Sequence, residues 1–284
     1  MSQKEPIQKR KVSIDFDEQI DRHWLNGDAI LSRYFDSFSI AFPEAERMMI
    51  DTVRDIGSEL SDESLKSEAK AFIFQEAQHS LVHANYNQYI RKQGVDLNPL
   101  EAFISRWLRW ARMNMSLKTR CGMGAGIEHF TTLIAEHFIA SGVLQKGDPK
   151  MRALWEWHAL EELEHRSVLF DVYTKGASGG YIRRILIFIV GLVFVHHMSM
   201  KCTYAMLQAD GYTKNWSLRF KVWKSLFGRQ GILRPLARPF LHYFKPSYHP
   251  TQVPVPQIMH DWAKAYNEKG DALEASLYVH QEAV

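Results

Sequence analysis

The sequence predicts an all-α fold: a four-helix bundle with an extra crossover helix and a helical C-terminal extension. Apolar residues recur three and four positions apart over long stretches, and no run alternates with period two for long enough to make a strand. Proline and glycine punctuate these stretches where helices start and stop. Two of the stretches each carry a Glu-x-x-His pair, a spacing that puts both side chains on one helical face.

The elements follow in order. Pro43 opens a first helix in PEAERMMIDTVRDIG, with Met49, Ile50, Val53 and Ile56 at helical spacing and Gly57 as its stop. Ser61 caps a long second helix, DESLKSEAKAFIFQEAQHSLVHANYNQYIRKQG, closed by Gly94. Pro99 opens the shorter crossover helix, EAFISRWLRWARM. GMGAG precedes a helix from about Ile127 to Val143. Asp148 and Pro149 make an N-cap and first-turn pair for a helix running to about Lys175, where Gly176 and SGG break it. A strongly apolar helix follows from about Tyr181 to Ala209, then a basic aromatic stretch and a Pro-rich tail. This divides the chain into 1–177, an N-terminal segment plus the bundle, and 178–284, a basic helical extension packed on it.

Hydrophobic residues make up 46% of the 284 and aromatics 12%, enough for a sizeable core and too many for a disordered chain. Cys121 and Cys202 are the only cysteines, which excludes a disulfide framework and a thiolate zinc or iron–sulfur site. The opening residues are polar, with no apolar signal segment, so a cytoplasmic setting is expected. The net charge of +3 conceals an asymmetry. From Tyr181 to Lys245 there are eleven Lys and Arg against one acid, Asp210, a local charge of +10 that leaves −7 on the remainder. Such a split points to an anionic partner for the basic segment.

The chemistry-bearing residues form a pattern. In WHALEELEHRSV, His158, Glu162 and His165 are spaced by four and three and share one stripe; Glu161 is compatible with it and Glu164 points elsewhere. In FIFQEAQHSLVHANYN, Glu76 and His79 pair at three, with His83 a turn further on. A bundle that binds two metals takes Glu-x-x-His from each of two helices and a glutamate from each of the other two. Glu46 lines up with Met49, Ile50 and Val53, whereas Glu44 shares a mostly polar face; Glu128 aligns with Thr132, Ala135 and Ile139, with Glu136 as second candidate. A lone Glu-x-x-His is usually accidental and exposed glutamates are common, but two such pairs plus two inward glutamates outweigh that reading. Carboxylates bridge cations and imidazoles add terminal ligands; without thiolates the set suits iron or manganese. His129 and His137 lie off the stripe as ordinary polar positions, and His83 reads as a group supporting a ligand.

FPEAERMMIDTVRD, QEAQHSLVHANYN, GIEHFTTLIAE, WHALEELEHRSVLFDVY and KPSYHP together resemble the bacterial family of predicted metal-dependent hydrolases over roughly Asp36 to Pro250. More broadly the pattern resembles ferritin-like di-iron carboxylate proteins. The histidine one turn before the last Glu-x-x-His, here His158, is also similar to the p-aminobenzoate N-oxygenase group, in which such a histidine is a seventh protein ligand. The resemblance implies a ferritin-like bundle with ligands Glu46, Glu76, His79, Glu128, His158, Glu162 and His165 around two iron ions, with manganese, mixed manganese–iron or zinc as alternatives. It also implies that the residue before each helical glutamate supports a ligating histidine, which places Glu161 near His79 and Gln75 near His165.

The ligand pattern leads to the expectation of a non-haem di-iron oxidase or oxygenase, using O₂ and an electron donor on an apolar or amine-bearing small substrate. Hydrolysis by a metal-activated water is the alternative, and a non-catalytic metal-binding helical protein the third reading. In the basic segment, ILIFIVGLVFV is eleven apolar residues, short of the roughly 20 that span a bilayer, so it reads first as a core helix. NWSLRFKVWKSLFGRQGILRPLARPFLHYFK interleaves Trp, Phe and Leu with Lys and Arg and contains no acid, which suits peripheral contact with an anionic membrane face through 181–245. Trp216, Phe220, Trp223 and Phe227 stand on one stripe, either a membrane or partner face or a core seam. No nucleic-acid motif is present and no nucleic acid is expected as a partner; a homodimer is compatible with the composition.

Overall fold

The computed structural model describes residues 4, 6–16 and 20–281. Among them every regular element is helical, apart from an isolated bridge between Leu25 and Gly147. The helices are α1 (Ala29–Ile56), α2 (Glu63–Lys92), α3 (Asn98–Asn114), α4 (Leu117–Ala140), α5 (Pro149–His165) and α6 (Val168–Asp171), then α7 (Tyr181–Ala209), α8 (Trp216–Phe227), α9 (Ala237–His242), α10 (Gln257–Lys269) and α11 (Ala272–Gln281). α1, α2, α4 and α5 form the bundle, and α3 lies in the connection between α2 and α4.

Cross-helix pairs set the register. α1 and α2 run antiparallel through Arg33–Gln93, Ser39–Asn87 and Glu46–Ser80. α2 and α5 do the same through Gln75–His165, His79–Glu161 and His83–His158. α4 meets α5 through Glu128–His165 and Thr131–Glu162. Every bundle helix therefore brings its glutamate or histidine to the same level of the core.

Three helix boundaries differ from the sequence expectation, each for a packing reason. α1 begins at Ala29, where Asp28 accepts from the Leu31 N–H at 2.9 Å, and Pro43 lies inside it. Proline lacks the N–H that would bond the carbonyl four residues back. That carbonyl, of Ser39, accepts the Asn87 Nδ2–H at 3.0 Å instead, so a tertiary bond offsets the local break. GMGAG lies within α4 rather than before it. Its glycines are points of close approach: a Cβ at Gly122 would stand 2.9 Å from Tyr173 Cε2, and one at Gly124 2.8 Å from Leu169 Cδ1. The helix expected to reach Lys175 is interrupted after His165 and resumes as α6 and a π turn at 172–176. A smaller difference is the α2 cap, which is Asp62, accepting from Ser64 and Leu65, and not Ser61.

α7 packs on α1 and α4, and α11 packs on α5. The reading of α7 as a core helix does not hold. Only 22% of its most apolar 18-residue window is buried, and Ile182, Leu186, Ile189, Val190 and Val193 are exposed. Phe188, Cys202, Met206 and Leu207 hold the opposite face against the bundle. The end of α7 is fastened by Asp210, whose carboxylate receives Arg33 Nε at 2.7 Å and NH2 at 2.8 Å.

Asp171 ties the two ends of the chain to α6. Lys4 Nζ donates to it at 2.7 Å, Lys175 Nζ lies 3.0 Å away, and the His249 ring stands 3.2 Å away. Burial opposes its charge, but these bonds from His249, Lys4 and Lys175 outweigh it and hold the carboxyl below the usual range. A depressed pKa stabilises the fold above the unfolded value of about 3.9, and that stability is lost as pH falls through the folded value. Asp171→Asn should cost about 1.5–3 kcal/mol near neutral pH, the range for hydrogen bonds to charged groups. In thermal unfolding, the gap to the unsubstituted protein should close as pH falls below 4. A gap that stays constant would assign Asp171 no electrostatic part.

Candidate metal centre

The centre of the bundle holds charge where a core is normally apolar. Glu46, Glu76, His79, Glu128, His158, Glu162 and His165 are all buried. α1 supplies Glu46, α2 supplies Glu76 and His79, α4 supplies Glu128, and α5 supplies the rest. They fall into two groups, Glu46 with His79 and His158, and Glu76 with Glu128, Glu162 and His165; within each, the potential ligand atoms lie within 4.8 Å of one another. Glu162 Oε1 stands 3.1 Å from His158 Nε2, and His165 Nε2 stands 3.1 Å from Glu76 and 3.3 Å from Glu128. All seven residues singled out by spacing therefore meet at one place. Glu44 pairs with Arg47 at the surface, and Glu136 stands outside both groups.

The electrostatics are those of a site short of positive charge. Burial raises the pKa of Glu46, Glu76 and Glu128 well above the carboxylate range, and neighbouring carboxylates add to the rise. Glu162 goes the other way: burial opposes its ionisation, but the His158 and His165 imidazoles beside it prevail. Burial, reinforced by the nearby His158, keeps His79 and His83 neutral. Among the described residues, both oxygens of Glu76 and of Glu128, Oε1 of Glu46, both ring nitrogens of His79, and Nε2 of His158 and His165 have no hydrogen-bond partner. Buried polar atoms are rarely left so. Orphaned carboxylate oxygens and imidazole nitrogens facing one another fit a pair of divalent cations, whose charge the four glutamates would balance.

A second ring is bonded to the histidines except where Glu161 stands against His79. Gln75 Oε1 accepts from His165 Nδ1 at 2.9 Å, and its amide donates to Glu164 at 2.8 Å and to the Gln8 carbonyl. Glu161 Oε2 lies 3.1 Å from His79 Nε2, and Arg10 reaches Glu161 at 3.3 Å and both oxygens of Glu164. Burial raises the Glu161 carboxyl to about 8, against the pull of Arg10. His83 Nε2 meets His158 Nδ1 at 2.9 Å, and its other nitrogen meets Ser39 Oγ, which donates to Asn87. Ser80 donates to Glu46, and Thr131 to Glu162.

Sequence reasoning placed Gln75 near His165 and Glu161 near His79, and read His83 as a supporting group without naming the histidine it meets, which is His158. It missed Arg10, whose QKRK context reads as a solvated basic run, and it dismissed Glu164, which is half-buried and paired with Arg10. Ser39, Ser80, Asn87 and Thr131 carried no signal, because single hydroxyls and amides on long helices are common. His129 is not an ordinary polar position: it is buried, stacked on Tyr243 at 4.6 Å and bonded to the Tyr248 hydroxyl at 2.8 Å.

A family model described as predicted metal-dependent hydrolase matches residues 8–253, while no curated protein and no solved structure matches the chain. That match overturns the oxidase or oxygenase expectation, which rested on ligand spacing shared with oxygen-activating enzymes. The same carboxylate and imidazole spacing serves any chemistry that needs two cations close together, so spacing alone does not choose the reaction. With the match covering most of its length, the chain belongs to the family of predicted metal-dependent hydrolases.

Proposed function

We propose that this protein hydrolyses a small apolar ester or amide at two divalent metal ions. Glu46, His79 and His158 would hold one ion, and Glu76, Glu128, Glu162 and His165 the other. The observation that carries the reading is the convergence of unpartnered, buried carboxylate and imidazole atoms at one level of the bundle, in a chain whose family is described by metal-dependent hydrolysis. The donors are oxygen-rich and include no thiolate, which favours iron or manganese over zinc. Such ions supply a Lewis acid for the substrate oxygen and a water acidic enough to attack near neutral pH.

The chain's own residues orient and enclose. Gln75 and His83 each bond the second ring nitrogen of a histidine and so fix its plane, and Glu161 stands 3.1 Å from that of His79. The Thr131 hydroxyl holds Glu162, and Ser80 holds Glu46, so neither carboxylate turns freely. Beside His158 and Thr131 lie two adjoining voids of about 30 and 50 Å³, which share Phe38, Phe42 and Phe130. Each has room for only a few waters at most, so a substrate group enters as the phenyl rings turn aside. Among the described residues, no Lys or Arg lines either void. A phosphate would find no cation there beyond the metals, whereas an acyl or aryl group would find an apolar wall. This favours a carboxylic ester or amide over a phosphodiester.

Glu162→Ala should reduce bound metal from two per chain to well below two with helicity retained, while Glu44→Ala keeps both; metal analysis beside circular dichroism reads the difference, and full occupancy in Glu162→Ala would remove the assignment. Gln75→Ala and Glu161→Gln leave every ligand in place, so they should weaken metal affinity by about 10–100-fold without abolishing it; unchanged affinity in both would make the second ring merely structural. The reaction class is tested with metal-loaded protein and a panel of aryl and short acyl esters and amides under rigorously anaerobic conditions. Turnover that chelation stops and Glu162→Ala lowers at least 100-fold is expected. Absence of any metal-dependent cleavage across the panel would count against hydrolysis of this class.

A further inference from the structure

The outer face of α7 and α8 is built unlike the rest of the surface. On α7, Ile182, Leu186, Ile189, Val190 and Val193 fall on one stripe, opposite Phe188, Cys202 and Met206, which hold the bundle. On α8, Trp216, Phe220, Trp223 and Phe227 form the exposed stripe, and the seam against the protein is Leu218, Val222 and Leu226. Trp216 is 83% exposed and Ile182 72%. The two stripes meet where Phe227 packs on His196 of α7, with ring centroids 5.9 Å apart. Together they leave nine large apolar side chains exposed, a grouping that soluble monomers rarely leave in water.

The charge that α8 and the segment after it place around this face is basic, with the exposed Asp28 of the α1 cap sharing a groove with Lys221, Lys224 and Arg229. At 100° per residue, Arg219 and Lys224 flank the α8 aromatic stripe on its two sides. Lys221, Arg229, Arg234, Arg238 and Lys245 are also exposed, and Arg183 stands at the start of α7. The single acid of the segment, Asp210, is withdrawn from the surface by Arg33, so it neutralises none of them. An apolar stripe rimmed by cations suits a surface that is apolar inside and anionic at its rim.

We propose that the α7–α8 face docks this protein on an anionic lipid bilayer, lying in the headgroup plane. The geometry favours lying over spanning. The exposed apolar stripe from Ile182 to Val193 rises only about 17 Å along the helix axis, whereas the hydrocarbon core is about 30 Å thick. The other side of the same helix is occupied by α1 and α4. Aromatic side chains at the depth of the headgroups and cations at their phosphates are the pattern of an interfacial helix. From inside, the void that adjoins the one beside His158 reaches Gly191, Phe194 and Val195 of the same helix, which would set the docking face beside the substrate's apolar wall.

Co-sedimentation with vesicles tests the proposal, using phosphatidylglycerol mixed with phosphatidylcholine against phosphatidylcholine alone, at low and high salt. Binding to the anionic vesicles at low salt, lost at high salt and absent with the neutral ones, is expected. Each cation near an anionic leaflet is worth about fivefold in affinity, so Arg219→Glu with Lys224→Glu should weaken binding at least 20–30-fold. Trp216→Glu and Trp223→Glu should each abolish it. Trp216 is the more exposed of the two tryptophans, so its substitution keeps the test valid should Trp223→Glu fail to fold. Protein that stays in the supernatant at low salt overturns the proposal, as does equal binding to both vesicles. A dimer in solution that Trp223→Glu splits, with no vesicle binding, overturns it in favour of a second copy of the chain. None of these readouts needs metal or turnover, so their failure is separate from failure of the hydrolase reading.

Discussion

Four glutamates at one level of an apolar bundle are the constraint around which the rest is arranged. An ionised carboxylate taken out of water costs several kcal/mol unless something compensates it. Two compensations exist: protons or cations. Protonation would remove the charge, and burial does push Glu46, Glu76 and Glu128 that way. It would also create hydroxyl donors, each needing an acceptor, in a place where both oxygens of Glu76 and Glu128 already lack partners. Cations remove the charge and satisfy the oxygens in one step. The His158 and His165 contacts that hold Glu162 ionised fit the second solution better than the first.

The contrast between the inner atoms and the ring around them follows from this. Evidence of design against disorder lies in the outer ring, where each histidine is held by a different device. His165 is held by the Gln75 amide, which is itself held by Glu164 and the Gln8 carbonyl. His79 faces Glu161, fastened by Arg10 from the N-terminal segment. His158 is held by His83, then Ser39, then Asn87, whose amide also caps the carbonyl that Pro43 leaves free. A break in α1 and the plane of a histidine on α5 are thus linked through one asparagine. Neither would be understood from its own helix alone.

That linkage also explains what could be read from the sequence. The inner residues of α2 and α5 were legible because each lies three or four positions from another on the same helix, and Glu46 and Glu128 because each lies at that spacing from apolar residues, relations that the chain writes locally. Gln75 and Glu161 were legible one step further, through resemblance, because each precedes a helical glutamate. Arg10, Ser80, Asn87 and Thr131 were not, since each acts on a residue of another element. The boundary errors have the same origin. Pro43 and GMGAG are local stop signals, and each is overruled by a tertiary contact: the Asn87 amide in one case, the tight approach of Tyr173 and Leu169 in the other. The apolar run in α7 was misread because composition cannot tell which side of a helix is covered.

α7 divides its length between two tasks. Its C-terminal half is sunk in the bundle through Met198, Ser199, Cys202, Thr203, Met206 and Leu207, and fastened by the Arg33–Asp210 pair. Its N-terminal half buries only Arg184 and Phe188 and leaves five aliphatic side chains in water. Each of those forgoes up to about 1.5–3 kcal/mol of burial, a sum comparable with the 5–15 kcal/mol that stabilises a whole domain. Folding has no use for that energy, since the helix is already held at its other end. It remains available to whatever apolar medium covers the face, and the rim of unneutralised Lys and Arg selects a medium that is anionic at its boundary. The carboxylates gathered inside the bundle and the cations gathered outside α8 are in this sense one sorting of charge: the acids are placed where cations can be held, and the bases where anions can be met.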